Sequence, residues 1–539
     1  MGFFRKRRRK MIFESLKDRI ALSVNPIANL DAAELDCEGS GEGEVATVIQ
    51  DGTLLSIIGS DNDDSISLQL GATTYEVIVN GETSEFSVDA IDQIMIEGDN
   101  GFDSLSISAS DLDNRVDLND GTFTVSNSAL IVSVIEVQDI VTTAGTGTNR
   151  AFLFDTTGDD VLTLRPDEAT LVDGEGNNYR VEGFDRVIAI SENGGSDQAN
   201  FHDTANDDIF VARESFSYLV GDGFWNYARG FDSVEAFSEQ GGFDQAWLFD
   251  SAGDDTLTAA DGDVTLTHAD GTTFASHGFS LSRGMASDGN DTATFTGQEG
   301  VAEQFVWSPE TSQLSTSGSN SITYIAEGFD SMSVTVSDEA DRADLRGSES
   351  DDTVILLPEA AQLTTPDAEI LAIGFGSVVA RGNGGDGDFA HIEDSRFNDE
   401  IITKERYAYV QGSDFLSLAT DFEVIDIASI NGGHDRAVSY DYADDIDFLV
   451  WDGPQYWIFG QNRNERIFTP AEARGFGIDA AGWEILRENE IPFRLSGSHS
   501  QLKDLSAQQL AEIATRNETP VGNYDLVDGQ ILEVTESDV

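Results

Sequence analysis

A repeat of about 47 residues runs through most of this chain and constrains its fold more than any other feature. In residues 230–257, a Gly-Phe-Asp corner precedes a short apolar run, and a GGxD turn, a second run and an acidic turn follow. Self-similarity at such a period is typical of solenoids and propellers. An earlier copy at 101–107 brings the count to eight units. The alanine after the GGxD turn recurs at steps of 48, 47, 47, 50, 47 and 47 residues, at Ala151, Ala199, Ala246, Ala293, Ala343, Ala390 and Ala437.

Each unit contains about five short runs rich in β-branched and aromatic residues, separated by Gly, Asp and Asn. Alternation within the runs, as at Ala199 and Phe201, indicates that one face of each strand is buried. The pattern predicts an all-β fold, either a right-handed parallel β-helix (β-solenoid) of about eight 47-residue repeats or an eight-bladed β-propeller. Five runs and degenerate end units favour the β-helix over closed four-stranded blades.

The β-helix interpretation carries a geometric expectation. Each unit should form two coils of roughly 23 residues, with alanine stacked on alanine and phenylalanine on phenylalanine in neighbouring coils. At about 4.8 Å per coil, roughly 16 coils would make a rod about 75–80 Å long.

The chain divides into five predicted segments. They are a basic N-terminal segment (1–30), an acidic glycine-rich linker (31–46), degenerate N-terminal cap strands (47–90), the repeat array (91–450), and a C-terminal cap and tail (451–539) with a short helix over 502–517.

The charge balance excludes several classes of partner. The chain has 30 Lys+Arg against 100 Asp+Glu, a formal net charge of -70. Nucleic acids and anionic membranes require basic surface, so binding of the body to either is excluded. The single cysteine, Cys37, forbids an internal disulfide. We expect no membrane span, because no window approaches the ~18 apolar residues that one requires.

The acidic turns are candidate calcium sites. Calcium takes six to eight carboxylate and carbonyl oxygens at about 2.3–2.6 Å, and a turn with two adjacent aspartates supplies such atoms. The alternative is that Asp forms these turns by bonding the local backbone. Repulsion does not decide, since two carboxylates about 5 Å apart in water repel by under about 1 kcal/mol. The candidate ligands are Asp155, Asp159, Asp160, Asp203, Asp207, Asp208, Asp250, Asp254, Asp255, Asp351, Asp352, Asp444 and Asp445.

An enzymatic function is not expected. The aspartates recur in phase in nearly every unit, which marks them as architecture, whereas a catalytic set should occur once. The sequence has no nucleophile elbow, phosphate loop or zinc-ligand spacing. The enzymatic alternative is a carbohydrate-active β-helix, a polysaccharide lyase or hydrolase, since paired carboxylates can hydrolyse glycosidic bonds.

Three stretches resemble known families. FESLKDRIALS (13–23) resembles the FExLEDR-type sorting segment of planctomycete exported proteins, with departures at Lys17 and Ala21. The array is similar to long planctomycete proteins built from GFDxV…GGxDxAxLxDSxGDD units. The turns at 155–163 and 250–258 are similar to the calcium-binding nonapeptides of RTX (hemolysin-type) β-rolls, although they lack the leading glycine pair and do not run in tandem.

These resemblances imply an exported β-solenoid, extracellular or in the cell envelope. Its expected role is structural or adhesive, at the cell surface or in the extracellular matrix, with Ca²⁺ as the implied cofactor. The binding alternative is an adhesin whose partner is a matrix or surface glycan or protein.

Overall fold

The computed structural model describes residues 45–119, 121–318, 321–385, 387–404 and 406–441, and the backbone of nine further strands between 447 and 534. The basic segment and most of the linker lie outside the described residues. A helix was expected over 502–517. Residues 502 and 503 belong to a strand, and residues 504–517 lie outside the described residues.

The described residues form 51 short strands and one 3-10 turn, Val88–Ala90. Strands β1 to β17 are Thr47–Asp51, Leu54–Ile58, Ser65–Leu70, Thr74–Val79, Glu82–Ser87, Gln93–Glu97, Ser104–Ser108, Arg115–Asn119, Thr122–Ser126, Ile131–Ile135, Asp139–Thr143, Arg150–Phe154, Val161–Leu164, Glu168–Val172, Asn178–Glu182, Arg186–Ile190 and Gln198–His202. Strands β18 to β34 are Ile209–Arg213, Phe216–Gly221, Phe224–Arg229, Ser233–Phe237, Gln245–Phe249, Thr256–Ala260, Asp263–Thr267, Thr273–His277, Leu281–Met285, Thr292–Thr296, Glu303–Ser308, Thr311–Thr316, Thr323–Glu327, Ser331–Thr335, Arg342–Arg346, Thr353–Leu356 and Ala360–Thr364. Strands β35 to β51 are Glu369–Ile373, Ser377–Arg381, Phe389–Glu393, Glu400–Lys404, Tyr407–Gln411, Leu416–Thr420, Val424–Ala428, Arg436–Asp441, Asp447–Asp452, Gln455–Gly460, Arg463–Phe468, Glu472–Gly477, Trp483–Arg487, Phe493–Ser496, Gln501–Lys503, Asn523–Val527 and Gln530–Val534.

Two long sheets contain all but the last two strands, β50 and β51, which form a separate hairpin. Sheet A runs β1-β2-β6-β10-β9-β8-β12-β16-β20-β19-β18-β22-β26-β30-β29-β28-β32-β36-β40-β39-β38-β42-β46-β48. Sheet B runs β5-β4-β3-β7-β11-β15-β14-β13-β17-β21-β25-β24-β23-β27-β31-β35-β34-β33-β37-β41-β45-β44-β43-β47-β49. The chain is therefore a β-solenoid of about 10 turns, and the propeller alternative is wrong. The same two sheets continue before residue 91 and after residue 450.

One 47-residue unit consists of five strands, as the five runs predicted. In one unit, β18, β19 and β20 form an antiparallel meander in sheet A, β21 lies in sheet B, and β22 returns to sheet A. The next meander, β23 to β25, lies in sheet B. The chain thus crosses between the sheets three times per unit. Because three is odd, successive units begin on opposite sheets.

Because successive units begin on opposite sheets, the expected stacking of equivalent residues in neighbouring coils is wrong. Ala199 lies in sheet B, Ala246 in sheet A and Ala293 in sheet B, so equivalent alanines do not stack on each other. The parallel neighbours of Ala246 are Phe210, 36 residues earlier, and Ser282, 36 residues later. The expectation of two 23-residue coils per unit is likewise wrong, because the meanders fold back within one sheet. With 24 strands, sheet A spans about 110 Å, which exceeds the expected rod length.

The core lies between the sheets and is built from the alternate residues of each strand, as with Phe210 and Ala212 in β18. The phenylalanine corners close its sides: Phe231 is 5% exposed and Phe279 is fully buried. Gly230 precedes the first with φ 82°, and its Cα lies so near Ser191 that a Cβ would come within 2.0 Å of the Ser191 carbonyl oxygen. Only glycine fits this combination of backbone conformation and contact.

Candidate metal centres

Carboxylates in the turns between strands join successive layers, because they accept hydrogen bonds from backbone amides. The amide of Asp160 donates to Oδ1 of Asp197 at 2.9 Å, and the amide of Asp197 donates to Oδ2 of Asp232 at 2.9 Å. The same contact joins Asp255 to Asp291 at 2.8 Å. These bonds confirm the expectation that aspartates in these turns accept hydrogen bonds from the backbone. The amides that donate belong to a neighbouring layer as well as to the local turn.

Four groups of three aspartates come together in these turns. In each group the three carboxylates offer oxygens that all lie within 4.8 Å of one another, and each group could hold a metal ion. The first member begins the acidic turn, and the second is the second residue of the acidic pair, which is Asn398-Asp399 in the last group. The third lies two residues before the recurrent alanine, in a turn of the next layer. We call these groups the triads: Asp155, Asp160 and Asp197; Asp203, Asp208 and Asp244; Asp250, Asp255 and Asp291; and Asp394, Asp399 and Asp435.

Three of the triads contain a buried carboxylate oxygen without a hydrogen-bond partner. Oδ1 of Asp155, Oδ1 of Asp208 and Oδ2 of Asp394 have no donor within the described part of the chain, and these side chains are at most 1% exposed. A buried, unsatisfied charged oxygen costs more than the ~1–3 kcal/mol of a neutral polar group. A cation bound within a triad would supply a partner for these oxygens.

The other oxygens of the triads are well satisfied. Asp155 Oδ2 accepts the amide of Asn193 at 2.7 Å, and Asp197 Oδ2 accepts the hydroxyl of Ser191 at 2.7 Å. Asp160 accepts the amides of Thr156 at 2.8 Å and Gly174 at 3.2 Å. These bonds fix the carboxylates in place, so the triads are preorganised by the solenoid.

Burial makes the repulsion within a triad larger than it would be between the same groups in water. At an effective dielectric constant of about 20, two charges about 4.8 Å apart repel by ~3 kcal/mol, several times the value in water. A triad with all three groups ionised therefore contains on the order of 10 kcal/mol of repulsion. Burial, ahead of neighbouring charges, raises the pKa of Asp291 to about 6 and that of Asp394 to about 7. Burial also raises the pKa values of Asp160, Asp197, Asp244, Asp250 and Asp399.

The first Asp of each acidic pair does not join a triad. Asp159, Asp207, Asp254 and Asp351 are exposed, and each accepts one backbone amide from the next layer, at 2.8, 2.8, 2.9 and 3.0 Å. In the last described copy Asn398 makes the same bond, to the amide of His434 at 2.8 Å, which shows that no charge is needed there. Asp444 and Asp445 lie outside the described residues.

Three copies of the turn have glycine in the place of the first triad member, and in the earliest, at Gly59, the amide of the buried Asp64 donates to Oδ1 of Asp103 at 2.7 Å. Asp352 is buried beside Asp388, whose Oδ1 accepts its amide at 2.8 Å, but Gly347 supplies no third carboxylate. In the other copy, a Cβ on Gly297 would meet Oε2 of Glu303 at 1.7 Å. The longer Glu303 side chain thus occupies the space that the first aspartate takes elsewhere. Burial raises the pKa of Glu303 to about 7.

In an early copy of the turn, asparagines stand where later copies have aspartates. Their hydrogen bonds show which backbone atoms surround these positions. Nδ2 of Asn114 donates to the carbonyl oxygens of Ser110 at 2.7 Å and Leu112 at 2.6 Å. Nδ2 of Asn149 donates in the same way to Gly145 and Gly147. The turn therefore directs carbonyl oxygens at this position. Where the residue is aspartate, a cation can take the place of the donated hydrogens.

The structure adds ligands that the repeat pattern did not indicate. Asp197, Asp244 and Asp291 come from the GGxD turns, and Asp394, Asp399 and Asp435 form a triad from a copy with a weaker sequence match. The signal was available in the Asp that lies two residues before the recurrent alanine in six of its seven copies, Asn149 standing in the other. What the sequence did not reveal is that this Asp, 36 or 37 residues after its partner, lies one layer away.

Comparison with known proteins does not assign this chain to a family. No protein-family model matches the sequence, and no curated protein matches it. In the part of the chain that the structure describes, no helix is long and apolar enough to cross a membrane.

Proposed function

We propose that this protein is an exported, calcium-stabilised β-solenoid with a structural or adhesive role at the cell surface or in the extracellular matrix. The observation that supports the metal is the convergence of three carboxylates within 4.8 Å in each of four turns, three of which also contain a buried oxygen without a hydrogen-bond partner. Hard carboxylate and carbonyl oxygens in a turn are the ligands of Ca²⁺. The ion would tie the acidic turn of one layer to the GGxD turn of the next, and so would strengthen the contacts that hold a solenoid together.

The same geometry supports a structural role over a catalytic one. All the triad carboxylates except the partly buried Asp250 are buried, and they bond backbone amides and nearby hydroxyls, so they lack the access to substrate that acid–base catalysis needs. They also recur in four copies along the chain. Turnover of a polysaccharide by the purified protein would contradict this part of the proposal.

The experiment is a calcium titration of the full-length protein after treatment with a chelator. Thermal unfolding is followed by circular dichroism at a fixed pH, with Mg²⁺ as the matched control ion. Each occupied site adds about 2.7 kcal/mol at a concentration 100 times its Kd. We therefore expect a large rise in Tm with Ca²⁺ and a smaller one with Mg²⁺, which prefers rigid octahedral sites. A Tm that does not change in millimolar Ca²⁺ would refute the metal hypothesis.

A further inference from the structure

The outer face of sheet A contains a platform unlike the rest of this acidic chain. It covers seven adjacent strands, β12, β16, β20, β19, β18, β22 and β26. Each strand points three side chains away from the core, which gives 7 × 3 = 21 outward positions. None of them is acidic, although the chain has 100 Asp+Glu. Eight are aromatic and five are arginine: Phe152, Phe154, Phe216, Tyr218, Trp225, Tyr227, Trp247 and Phe249, with Arg150, Arg186, Arg213, Arg229 and Arg283.

Cross-strand register arranges these side chains in rows. The middle row passes from Phe152 through Ile188 and Tyr227 to Tyr218, then through Val211 and Trp247 to Arg283. Neighbouring side chains cover part of this row: Phe152, Tyr227 and Val211 are at most 7% exposed, and the Arg115 guanidinium lies 3.9 Å from the centre of the Phe152 ring. Six strand spacings make each row about 29 Å long. The next strand on either side includes one acidic outward residue, Asp117 opposite Phe152 in β8 and Glu327 opposite Met285 in β30, so the acid-free area ends at these strands.

Contacts among these side chains hold the platform flat and rigid. The rings of Trp225 and Tyr227 stack with centroids 5.4 Å apart, and Tyr227 stacks on Phe216 at 5.7 Å. The Arg213 guanidinium lies 3.5 Å from the centre of the Phe249 ring. Trp247 is 38% exposed, so a broad indole face is open to a partner.

Charge identifies the partner as an anion. Arg150 and Arg186 are exposed and make no ion pair within the described residues, whereas Glu192 and Glu327 lie at the rim against Arg229 and Arg283. The rest of the protein does not prevent approach, because charges beyond about 8 Å are largely screened at physiological salt. Guanidinium groups bind carboxylates through two parallel hydrogen bonds.

Shape identifies the anion as a linear polymer with apolar faces. The platform is long and flat and lies on the open side of the sheet. Pyranose rings stack their C–H faces on aromatic rings, and an extended polysaccharide repeats at a spacing close to that of the strands. We propose that the platform binds an acidic polysaccharide, with sugar rings on its accessible aromatic rings, Trp247 first among them, and carboxylates on the arginines. This inference rests on the adhesive role proposed above and names a binding surface and a partner for it. The surface and the partner do not depend on the metal centres.

The outer face of sheet B provides the internal control. Its strands β23, β27 and β31 present Thr256, Thr258, Thr292 and Thr294 and further Ser and Thr residues to solvent, with no aromatic ring among them. This three-strand part of sheet B resembles the platform in its parallel strand pairing but has neither rings nor guanidinium groups at its outward positions.

The test measures binding of the full-length protein to polygalacturonate by isothermal titration and by tryptophan fluorescence. Its methyl-esterified, uncharged form is the control polymer. We expect binding of polygalacturonate that weakens as salt is raised, and at least about ten-fold weaker binding of the uncharged form. Trp247→Ala and Arg186→Gln should each weaken binding by roughly five-fold or more, and Thr258→Ala should leave it unchanged.

Repeating the titration in chelator separates this inference from the calcium proposal. Binding that persists there, with the strands intact by circular dichroism, comes from the platform and not from calcium bridging two polyanions. Binding that vanishes in chelator, or that Trp247→Ala and Arg186→Gln leave unchanged, would overturn the inference. It would also be overturned if neither polymer binds, or if sedimentation shows that the platform variants abolish self-association instead.

Discussion

The triad turns and the glycine-bearing turns occupy equivalent places in one solenoid and differ in a single position. Where Asp155, Asp203, Asp250 or Asp394 begins the turn, three carboxylates converge. Where Gly297 or Gly347 begins it, the layers are still joined by the same bond, from Glu303 to Asp341 and from Asp352 to Asp388, at 2.8 Å in both.

The comparison separates two tasks of the acidic turns. The side chains at the second and third positions make the bond between layers in both kinds of turn, and Asn149 makes the same bond with an amide oxygen, which accepts the amide of Asn114 at 3.1 Å. The first carboxylate adds a third charge beside these bonds. Asp155 Oδ1 and Asp394 Oδ2 of first members have no donor in the described part of the chain, and the same is true of Asp208 Oδ1, and of Asp388 Oδ2 and Glu303 Oε2 in the glycine-bearing turns. Stacking alone does not require that residue, whereas a cation would.

The largest expected effect comes from removing the second triad member. Asp255→Ala leaves the amides of Ser251 and Ala269 without their acceptor and deletes a ligand. We expect a loss of about 3 kcal/mol of stability in calcium, and a smaller loss in chelator, where repulsion is relieved. Thermal unfolding in both conditions measures it.

Asp254→Asn is the matched control for that variant. Asp254 is the exposed neighbour, and Asn398 performs the same task elsewhere in the chain. We expect a change under about 0.5 kcal/mol and an unaltered calcium response. Equal losses of the calcium response in Asp254→Asn and Asp255→Ala would contradict the assignment of the ligands.

Converting a glycine-bearing turn should create a site. Gly347→Asp places a carboxylate beside Asp352 and Asp388, and the nearest atom to the new Cβ would be Oδ2 of Asp352, a side chain that can turn. We expect a loss of about 2 kcal/mol in chelator and its recovery in calcium, because the added charge is buried. The bound calcium per chain, measured by elemental analysis after gel filtration, should rise by one. An unchanged calcium content would show that the first carboxylate is not a ligand.

The smallest effect concerns the pH dependence of the glycine-bearing turn at Gly297. Burial raises the pKa of Glu303 to about 7, above its value in the unfolded chain, so the folded state holds the proton more tightly. Its contribution to stability is present at low pH and is lost as the pH rises through about 7. Glu303→Gln cannot ionise. We expect it to be about 1 kcal/mol more stable than the natural chain at pH 8 in chelator, with no gain at pH 5. A gain at both values would point to packing instead of charge.

Local patterns predicted the strands well. The runs in 183–231 correspond to β16 through β20, because period-two alternation reflects which face of a strand is buried and does not depend on distant contacts. The acidic pairs were also recognisable, since spacing and residue type can be read directly from the chain. Half of each pair proved to be exposed: Asp159 caps the next layer from outside while Asp160 is buried in the triad.

The sequence alone determined that this protein is all-β, repetitive and acidic, and that its aspartates belong to turns. Only the tertiary structure decided which layers touch. The three crossings per unit place Ala199 and Ala246 on opposite sheets, and the meander brings Asp197 against Asp160 instead of against the aspartate one repeat away. The physical reason is that contacts across layers depend on how the chain folds back between strands, and a repeat length does not specify that path.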